Sequence, residues 1–389
     1  MKKSKLIINI MFCSVIFAYI FLSFAKSIVK PVEVVYREKR YANKYNSIGL
    51  RNYVNGSMQN NIEDTLSDQV LLSSKLKGAN NLIRGISVGT ALNLLDSNRN
   101  EYVKVSKFYF YKGNLVYYPE KLNDLVPAFD KTINNYNNLI SKYNNIDFYF
   151  FYIEKETDIN FITNEKSGSY EYIKEHLNTK NISKFSINNF DEYKKYFYKT
   201  DHHWNEIGSY IGYKEIVKMF KQKNFIEPIS HVCLNKTWAG SKSVYEGFEY
   251  SMRDEFCANK FDFSDIHVMV DRKDADYGKQ NEYLNNSLDA VSYGDFYGWD
   301  NGEIVFNSNK KSKDNVLIFG DSYDNAIVKL LSKHFNTTVV VDLRWYENFV
   351  GEKFTLNYYL KKYNINKILF VGDDSFYASE DFLINIEED

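Results

Sequence analysis

"NVLIFGDSYDNAIVKLLSKHF", residues 315–335, contains one full turn of an α/β layer. Val316 to Phe319 are apolar without alternation, as a strand covered on both faces requires. Gly320 and Asp321 break the run, and apolar residues then return at helical spacing toward Phe335. Working outward, "TTVVVDLRWY" (337–346) reads as a second buried strand, "FTLNYYLKKYN" (354–364) as a helix and "KILFVG" (367–372) as a last strand. Strand, helix, strand, helix, strand implies a parallel sheet, because the crossovers return each strand in the same direction. Upstream, "PAFDKTINNYNNLISKYN" (127–144) has helical period and leads into the apolar "IDFYFFYIE" (146–154), another buried strand. The expected fold class is α/β, a three-layer α/β/α arrangement around a parallel sheet.

The rest of the chain is read around that layer. "KFYFYKGNLVYYP" (107–119) predicts a hairpin turning at Lys112–Gly113. Residues 61–85 predict one helix. Residues 205–220, "NEIGSYIGYKEIVKMF", predict an amphipathic helix with Ile207, Ile211, Ile216 and Met219 on or near one face. Residues 223–310 are the least regular. "TWAGSKSVYEGFEYS" (237–251) and "VSYGDFYGWDNG" (291–302) are rich in Gly, Ser and aromatics and predict loops of an insertion over the active face.

At the N-terminus, Lys2, Lys3 and Lys5 precede the uncharged run Leu6 to Ala25. About 20 apolar residues are enough to cross a bilayer. The flanking lysines place the N-terminus in the cytoplasm and all that follows outside. A cleaved signal peptide is the competing reading, but "FAKSIVKP" offers a poor cleavage site. The expected organisation is therefore a cytoplasmic tip and transmembrane anchor at 1–26, a juxtamembrane linker at 27–50 and an extracytoplasmic domain at 51–389 that includes the 223–310 insertion. The formal net charge of -1 gives no support for nucleic-acid binding. Of three cysteines, Cys13 lies in the apolar run. Cys233 and Cys257 either pair in an oxidising exterior or remain buried thiols.

Chemistry is legible at two places. In "FGDSYD" a strand ends at Gly320 and Ser322 follows in the turn, at the carboxyl edge of a parallel sheet where active sites gather. That turn puts the Ser322 hydroxyl near free backbone N–H groups suited to an oxyanion. The bland alternative is helix capping by Asp321 or Ser322. The second place is "KTDHHWNEIG" (199–208), in a chain with only 6 His. A serine nucleophile needs a base, and the base an orienting carboxylate. Asp201 and His203, two apart on one loop, fit that pair, with His202 expected to point away toward the backbone. A metal site is the other reading of adjacent histidines. No further His or Cys stands at the usual ligand spacing, so no metal and no cofactor is expected. The chain order Asp, His, Ser is no obstacle, since triads are defined by geometry.

"TDHHWNEIGSYIGY", "TWAGSKSVYEGFE", "VLIFGDSYDNAIVKLLSKHF" and "VVVDLRWY" resemble the bacterial DHHW family over roughly residues 50–375, in the family's order of motifs. That family is similar to the SGNH-hydrolase-like domain of alginate O-acetyltransferase proteins. The resemblance implies an extracytoplasmic SGNH-like fold, with Asp201 and His203 as the Asp-x-His-Trp pair and Ser322 as the nucleophile. The separate Gly and Asn that complete the oxyanion hole in SGNH enzymes have no clean match; Gly240 and Gly372 are the candidates. Arg344 in "DLRWY" is placed to hold a sugar hydroxyl or carboxylate, or else to pair with Asp342 or a loop acid. Trp204 is read as packing behind the His loop before it is read as a sugar platform.

These readings converge on a membrane-anchored O-acetyltransferase acting on a cell-surface polysaccharide, with a multispan membrane acyltransferase as acetyl donor. A carbohydrate acetylesterase and a non-catalytic glycan-binding scaffold are the alternatives. The anchor and the long insertion favour transfer over hydrolysis, since a transferase must exclude water and hold its acceptor.

Overall fold

A computed structural model describes residues 2–35, 40–44, 49–54, 56–94, 100–275, 292–308 and 312–385. The chain divides into two compact units, Met1–Leu94 with Ser243–Met252, and Leu95–Lys242 with Arg253–Asp389.

In the first unit, α1 is Lys2–Val29. Its segment Leu6–Ser27 is long and apolar enough to cross a membrane, with a mean hydropathy of 2.4. The single helix expected at 61–85 is two helices, α2 at Ser57–Gln69 and α3 at Ser73–Leu94. The break falls at Val70–Leu72, where Leu72 takes a φ of 62°. Side chains at the end of α2 explain it. Gln69 exchanges two hydrogen bonds with the backbone of Val32, and Asp68 accepts from Asn43. Of the juxtamembrane segment, residues 36–39 and 45–48 lie outside the described set.

The second unit holds the α/β layer. A small antiparallel sheet comes first, with β1 Val103–Val105, β2 Phe108–Tyr111 and β3 Asn114–Val116. The β2–β3 hairpin turns at Lys112–Gly113, both with positive φ, as the sequence indicated. Then follow α4 Leu122–Lys142, β4 Asp147–Ile153, α5 Ser169–His176, β5 Ile182–Phe185, α6 Phe190–Tyr196 and α7 Glu206–Met219. After them come β6 Ser230–Trp238, β7 Asp254–Lys260, β8 His267–Val270, β9 Lys273–Ala275, α8 Tyr293–Tyr297 and β10 Glu303–Asn307. The last run is β11 Asn315–Gly320, α9 Val328–Ser332, β12 Thr337–Val341, α10 Leu343–Val350, α11 Leu356–Lys362, β13 Lys367–Gly372 and α12 Asp374–Ala378.

The central sheet has the order β9-β8-β10-β12-β11-β13-β4-β5. The five strands from β12 to β5 are parallel, and β10, β8 and β9 extend the sheet antiparallel. The protein is thus a mixed α/β structure with a mostly parallel central sheet. The stretch expected to be an irregular insertion contributes three strands to that sheet, while β6 and β7 pair as a separate antiparallel ribbon. Strands as short as "HVMV" and "KDA", with four and three residues, are too brief to show a period, which is why they read as loop. The ribbon puts Cys233 opposite Cys257, and the two form a disulfide.

Alternate residues of the parallel strands enter two different cores. Phe319, Phe370 and Phe150 share one face with Tyr136 and Leu139 of α4, and Ile318, Val371 and Phe151 share the other with Tyr213 and Ile216 of α7. Both faces are covered by helices, so the continuous apolar runs follow from burial on each side. Phe319, Phe370 and Phe150 lie on three neighbouring strands in register, with ring centroids 5.1 Å apart at each step. β11, β13 and β4 are adjacent and parallel. Their carboxyl ends therefore bring Ser322, Asp373 and Lys155 to one edge of the sheet.

Candidate active site

The turn after β11 differs from the expected strand-to-helix entry. A short 3-10 turn, Asp324–Ala326, intervenes, and α9 is only five residues long. Asp321 organises the turn by accepting the Tyr323 N–H at 3.0 Å. Ser322 is half-buried between two buried neighbours, so its hydroxyl emerges at the sheet edge. Among the described residues none accepts from the Ser322 N–H.

The loop between α6 and α7 holds the second motif and is tied down on both sides. Asp254 accepts from the N–H groups of Lys199 and Thr200 and from the Thr200 hydroxyl. Asn205 caps α7 by accepting from Ile207 and Gly208. Between these anchors, Asp201 Oδ1 faces His203 Nδ1 at 2.5 Å and also accepts the His203 N–H at 3.1 Å. Ser241 donates its N–H to the other carboxylate oxygen at 2.6 Å. His203 Nε2 then lies 2.8 Å from Ser322 Oγ. The structure therefore brings Asp201, His203 and Ser322 into one chain of hydrogen bonds, across 119 residues of sequence separation between His203 and Ser322.

Electrostatics support the direction of that chain. Burial alone would raise the Asp201 carboxyl. The adjacent His203 and His202 rings and the Ser241 N–H outweigh it and hold the carboxyl well below the usual range. Asp201 is thus a fixed anion, able to stabilise an imidazolium at His203.

His202 departs from expectation. It does not turn away to the backbone. Its ring lies 3.8 Å from that of His203, its Nδ1 meets Ser241 Oγ at 2.7 Å, and it lines the same cleft as Ser322. Burial and the His203 charge push it down to about 3, so it stays neutral. On the opposite side Tyr293 stacks on His203, with centroids 3.9 Å apart and planes 3° from parallel. The His203 ring is held between two others. Asp201, His202 and His203 do offer potential metal-ligand atoms within 4.8 Å of one another. The hydrogen bonds nevertheless account for both nitrogens of His203, with the carboxylate on one side and the serine on the other.

Trp204 is 0% exposed and donates its indole N–H to the Tyr323 carbonyl at 3.1 Å. It cannot serve as a sugar platform; it locks the His loop to the Ser turn. Its ring fills space left by Gly212, where a Cβ would come within 2.5 Å of it. Tyr323 completes the link by donating its hydroxyl to the His202 carbonyl at 2.5 Å. Replacing Trp204 by alanine is expected to lower the unfolding free energy by about 3–5 kcal/mol, the usual range for a buried Trp. Denaturant unfolding of the purified protein measures it.

The two glycine candidates also have other employment. Gly240 donates its N–H to Thr200 Oγ1 at 3.0 Å, and a Cβ there would stand 2.5 Å from Thr200 and Asp201. Its smallness lets Ser241 reach the Asp201 carboxylate. Gly372 packs beneath Phe376, where a Cβ would lie 2.2 Å from the ring. Neither is assigned to an oxyanion. Arg344 pairs with Asp342 at 2.5 Å and Asp300 at 3.2 Å, and it borders the cleft.

The cleft beside Ser322 has a volume of about 640 Å³. Tyr117, Glu120, Lys155, Asp321 and Asp373 to Ser375 line it. Lys155 is buried and pairs with Asp373 at 2.5 Å and Asp374 at 3.1 Å. The sequence reading missed Tyr293, Tyr323, Ser241 and this Lys155 cluster. Tyr323 stands beside Ser322 in sequence and was within reach. The others have no local signal, because only folding brings them to the site.

No protein-family model matches the chain, and no curated protein sequence does. Solved structures do match in fold. Over 72% of this chain and 98% of the other, the fold is similar to that of Bacillus cereus PatB1, with 21% identity and a TM-score of 0.53. A second PatB1 structure, described as carrying a sulfonyl adduct, matches at 20% identity and a TM-score of 0.52, over 73% of this chain and 97% of that one. A DHHW family protein from Eubacterium siraeum DSM 15702 is similar over 72% of this chain and 95% of its own, with 16% identity and a TM-score of 0.50. The expected likeness to a DHHW protein is therefore present at the level of fold. The O-acetyltransferase domain of Pseudomonas putida AlgJ also matches, at 8% identity and a TM-score of 0.39 over 74% of this chain and 95% of that one, too distant to carry an argument.

Proposed function

We propose that this chain is an SGNH-like serine O-acetyltransferase that acetylates a cell-surface polysaccharide outside the membrane to which α1 anchors it. The observation that carries the reading is the aligned set Asp201, His203 and Ser322 opening on a cleft large enough for sugar residues. In the first half-reaction Ser322 Oγ attacks the acetyl ester of a donor while His203 Nε2 takes its proton. The tetrahedral oxyanion falls beside the Ser322 N–H, and collapse expels the donor alcohol, protonated by His203. In the second half, His203 takes a proton from an acceptor hydroxyl that attacks the acyl-serine, and Ser322 is restored. Asp201 keeps His203 in the required tautomer throughout. The donor is supplied by a multispan membrane acyltransferase in this reading.

The cleft also speaks to the acceptor. Its cations, Lys155 and Arg344, are both held by carboxylates. Among the described cleft residues no unpaired cation remains to hold a uronate, so the acceptor is a neutral, hydroxyl-bearing sugar. The test supplies purified protein with an acetyl donor ester and glycan oligomers, neutral and uronate. Acetylated neutral oligomer by mass spectrometry supports the reading. Release of free acetate unchanged by any acceptor makes the protein an acetylesterase instead. A sulfonyl adduct is described for the PatB1 neighbour. A sulfonyl fluoride is accordingly the reagent with which to label Ser322 here.

Asp321 gives a pH signature. Burial, then the Asp373 charge, push its carboxyl up to about 8. Beside Ser322 it is neutral at pH 7, which suits a developing oxyanion. As pH rises through about 8 it becomes an anion and opposes that charge. The acylation rate should fall over this window, and Asp321→Asn should remove the fall. Stability shares the sign: with the folded value above the unfolded one, this group's contribution is full at acid pH and lost through about 8.

A further inference from the structure

The first unit contains a second apolar surface that neither the triad nor the anchor uses. α3 presents Leu72 just before its first turn, then Leu76, Ile83 and Ile86, which are 51%, 53%, 69% and 63% exposed. Steps of four, seven and three residues put them on one helix face. The other face is occupied within the same unit. Asn81 donates to the Glu249 carboxylate at 3.3 Å, and Gly85 is buried where a Cβ would lie 3.5 Å from the Gly247 carbonyl.

The depth of this face follows from two hydrogen bonds to α1. The Leu71 carbonyl accepts from the Tyr19 hydroxyl at 2.7 Å, and the Leu71 N–H donates to Ser23 Oγ at 3.1 Å. Tyr19 and Ser23 lie eight and four residues before Ser27, the outer end of the apolar segment. At a rise of about 1.5 Å per residue, Leu71 sits roughly 6–12 Å inside that end. Backbone at such depth must have its polar groups satisfied by protein, because lipid offers no partner. Both polar groups of Leu71 are satisfied, and by side chains of the spanning helix itself. An exposed corner in water would need neither bond.

We propose that the Val70–Leu72 corner and the apolar face of α3 are immersed in the outer leaflet, so that the chain holds the membrane with a spanning helix and an in-plane helix together. The proposal rests on the reading of α1 as a membrane span. The occupant of the face is lipid, because the corner that starts it is hydrogen-bonded to Tyr19 and Ser23 within an apolar segment whose Ile20 and Leu22 stay 56% and 53% exposed. An in-plane helix fixes what a single flexible tether leaves free, namely the depth and tilt of this unit at the bilayer surface.

The experiment uses the full-length chain with Cys13→Ser in phospholipid vesicles. A solvatochromic fluorophore is placed at Ile83→Cys or, separately, at Phe17→Cys. Both positions are exposed, so neither variant disturbs a core. Lipids carrying a nitroxide near the headgroup should quench the probe at 83 strongly, while aqueous iodide quenches it weakly. Lipids with a nitroxide deep in the chain should quench the probe at 17. Iodide quenching at 83 with the probe at 17 still lipid-quenched would overturn the in-plane helix and leave the anchor intact. Loss of lipid quenching at both would overturn the anchor, and the proposal with it. Protection at 83 from both quenchers in native membranes alone would assign the face to a membrane protein partner and likewise overturn the lipid assignment.

Discussion

Ser322→Ala is expected to lose acyl transfer by roughly 10⁴-fold or more, with an unchanged fold, and to lose labelling by a sulfonyl fluoride entirely. The magnitude is that of removing a nucleophile from a triad, where a residue of catalysis persists from binding and the oxyanion site. The fold should survive because Ser322 contributes one hydrogen bond, to His203, at a half-buried position. The readouts are single-turnover acylation and intact mass after labelling. Activity equal to wild type would remove the enzyme reading and leave a scaffold.

His203→Ala should cost as much as Ser322→Ala, and the double variant should be no worse than either, because groups acting as a unit are not additive. His202→Ala should cost far less, about tenfold. It removes one hydrogen bond to Ser241 and one packed ring beside the base, but no proton acceptor from the serine. The contrast discriminates between the readings of the histidine pair. Equal losses at both positions, together with zinc bound to the wild-type protein, would make the pair a metal site.

The α/β layer was legible because its strands are buried on both faces. Residues 316–319 and 368–371 have no choice but apolar side chains, and a run without alternation is readable without knowing its neighbours. The extension by β8, β9 and β10 was not. Its strands are short and partly polar, and they are fixed by pairing with β12, information that lies far away in sequence. The break between α2 and α3 was hidden for a related reason. Helical period continues through Val70–Leu72, and the interruption comes from Gln69 and Asp68 bonding to distant backbone.

At the site, Asp201 and His203 were legible because they are local to one loop, and Ser322 because the strand-end rule places it. The roles of Gly240 and Gly372 were not. A glycine in a loop near an active centre looks like an oxyanion donor until the packing against Asp201 or Phe376 is seen. Tyr293 is the same lesson for aromatics. In a chain with 33 Tyr and 29 Phe, composition hides which rings matter, and only stacking on His203 distinguishes this one.

The central claim is an acyl-serine at Ser322. Brief incubation of the purified protein with an activated acetyl ester, acid quench and peptide mass spectrometry tests it directly. The account predicts one acetyl group on the peptide that contains Ser322, discharged when a neutral glycan oligomer is added and absent from His203→Ala on the same timescale. Acetylation of another residue with turnover, or acetyl transfer by Ser322→Ala at the wild-type rate, would contradict it.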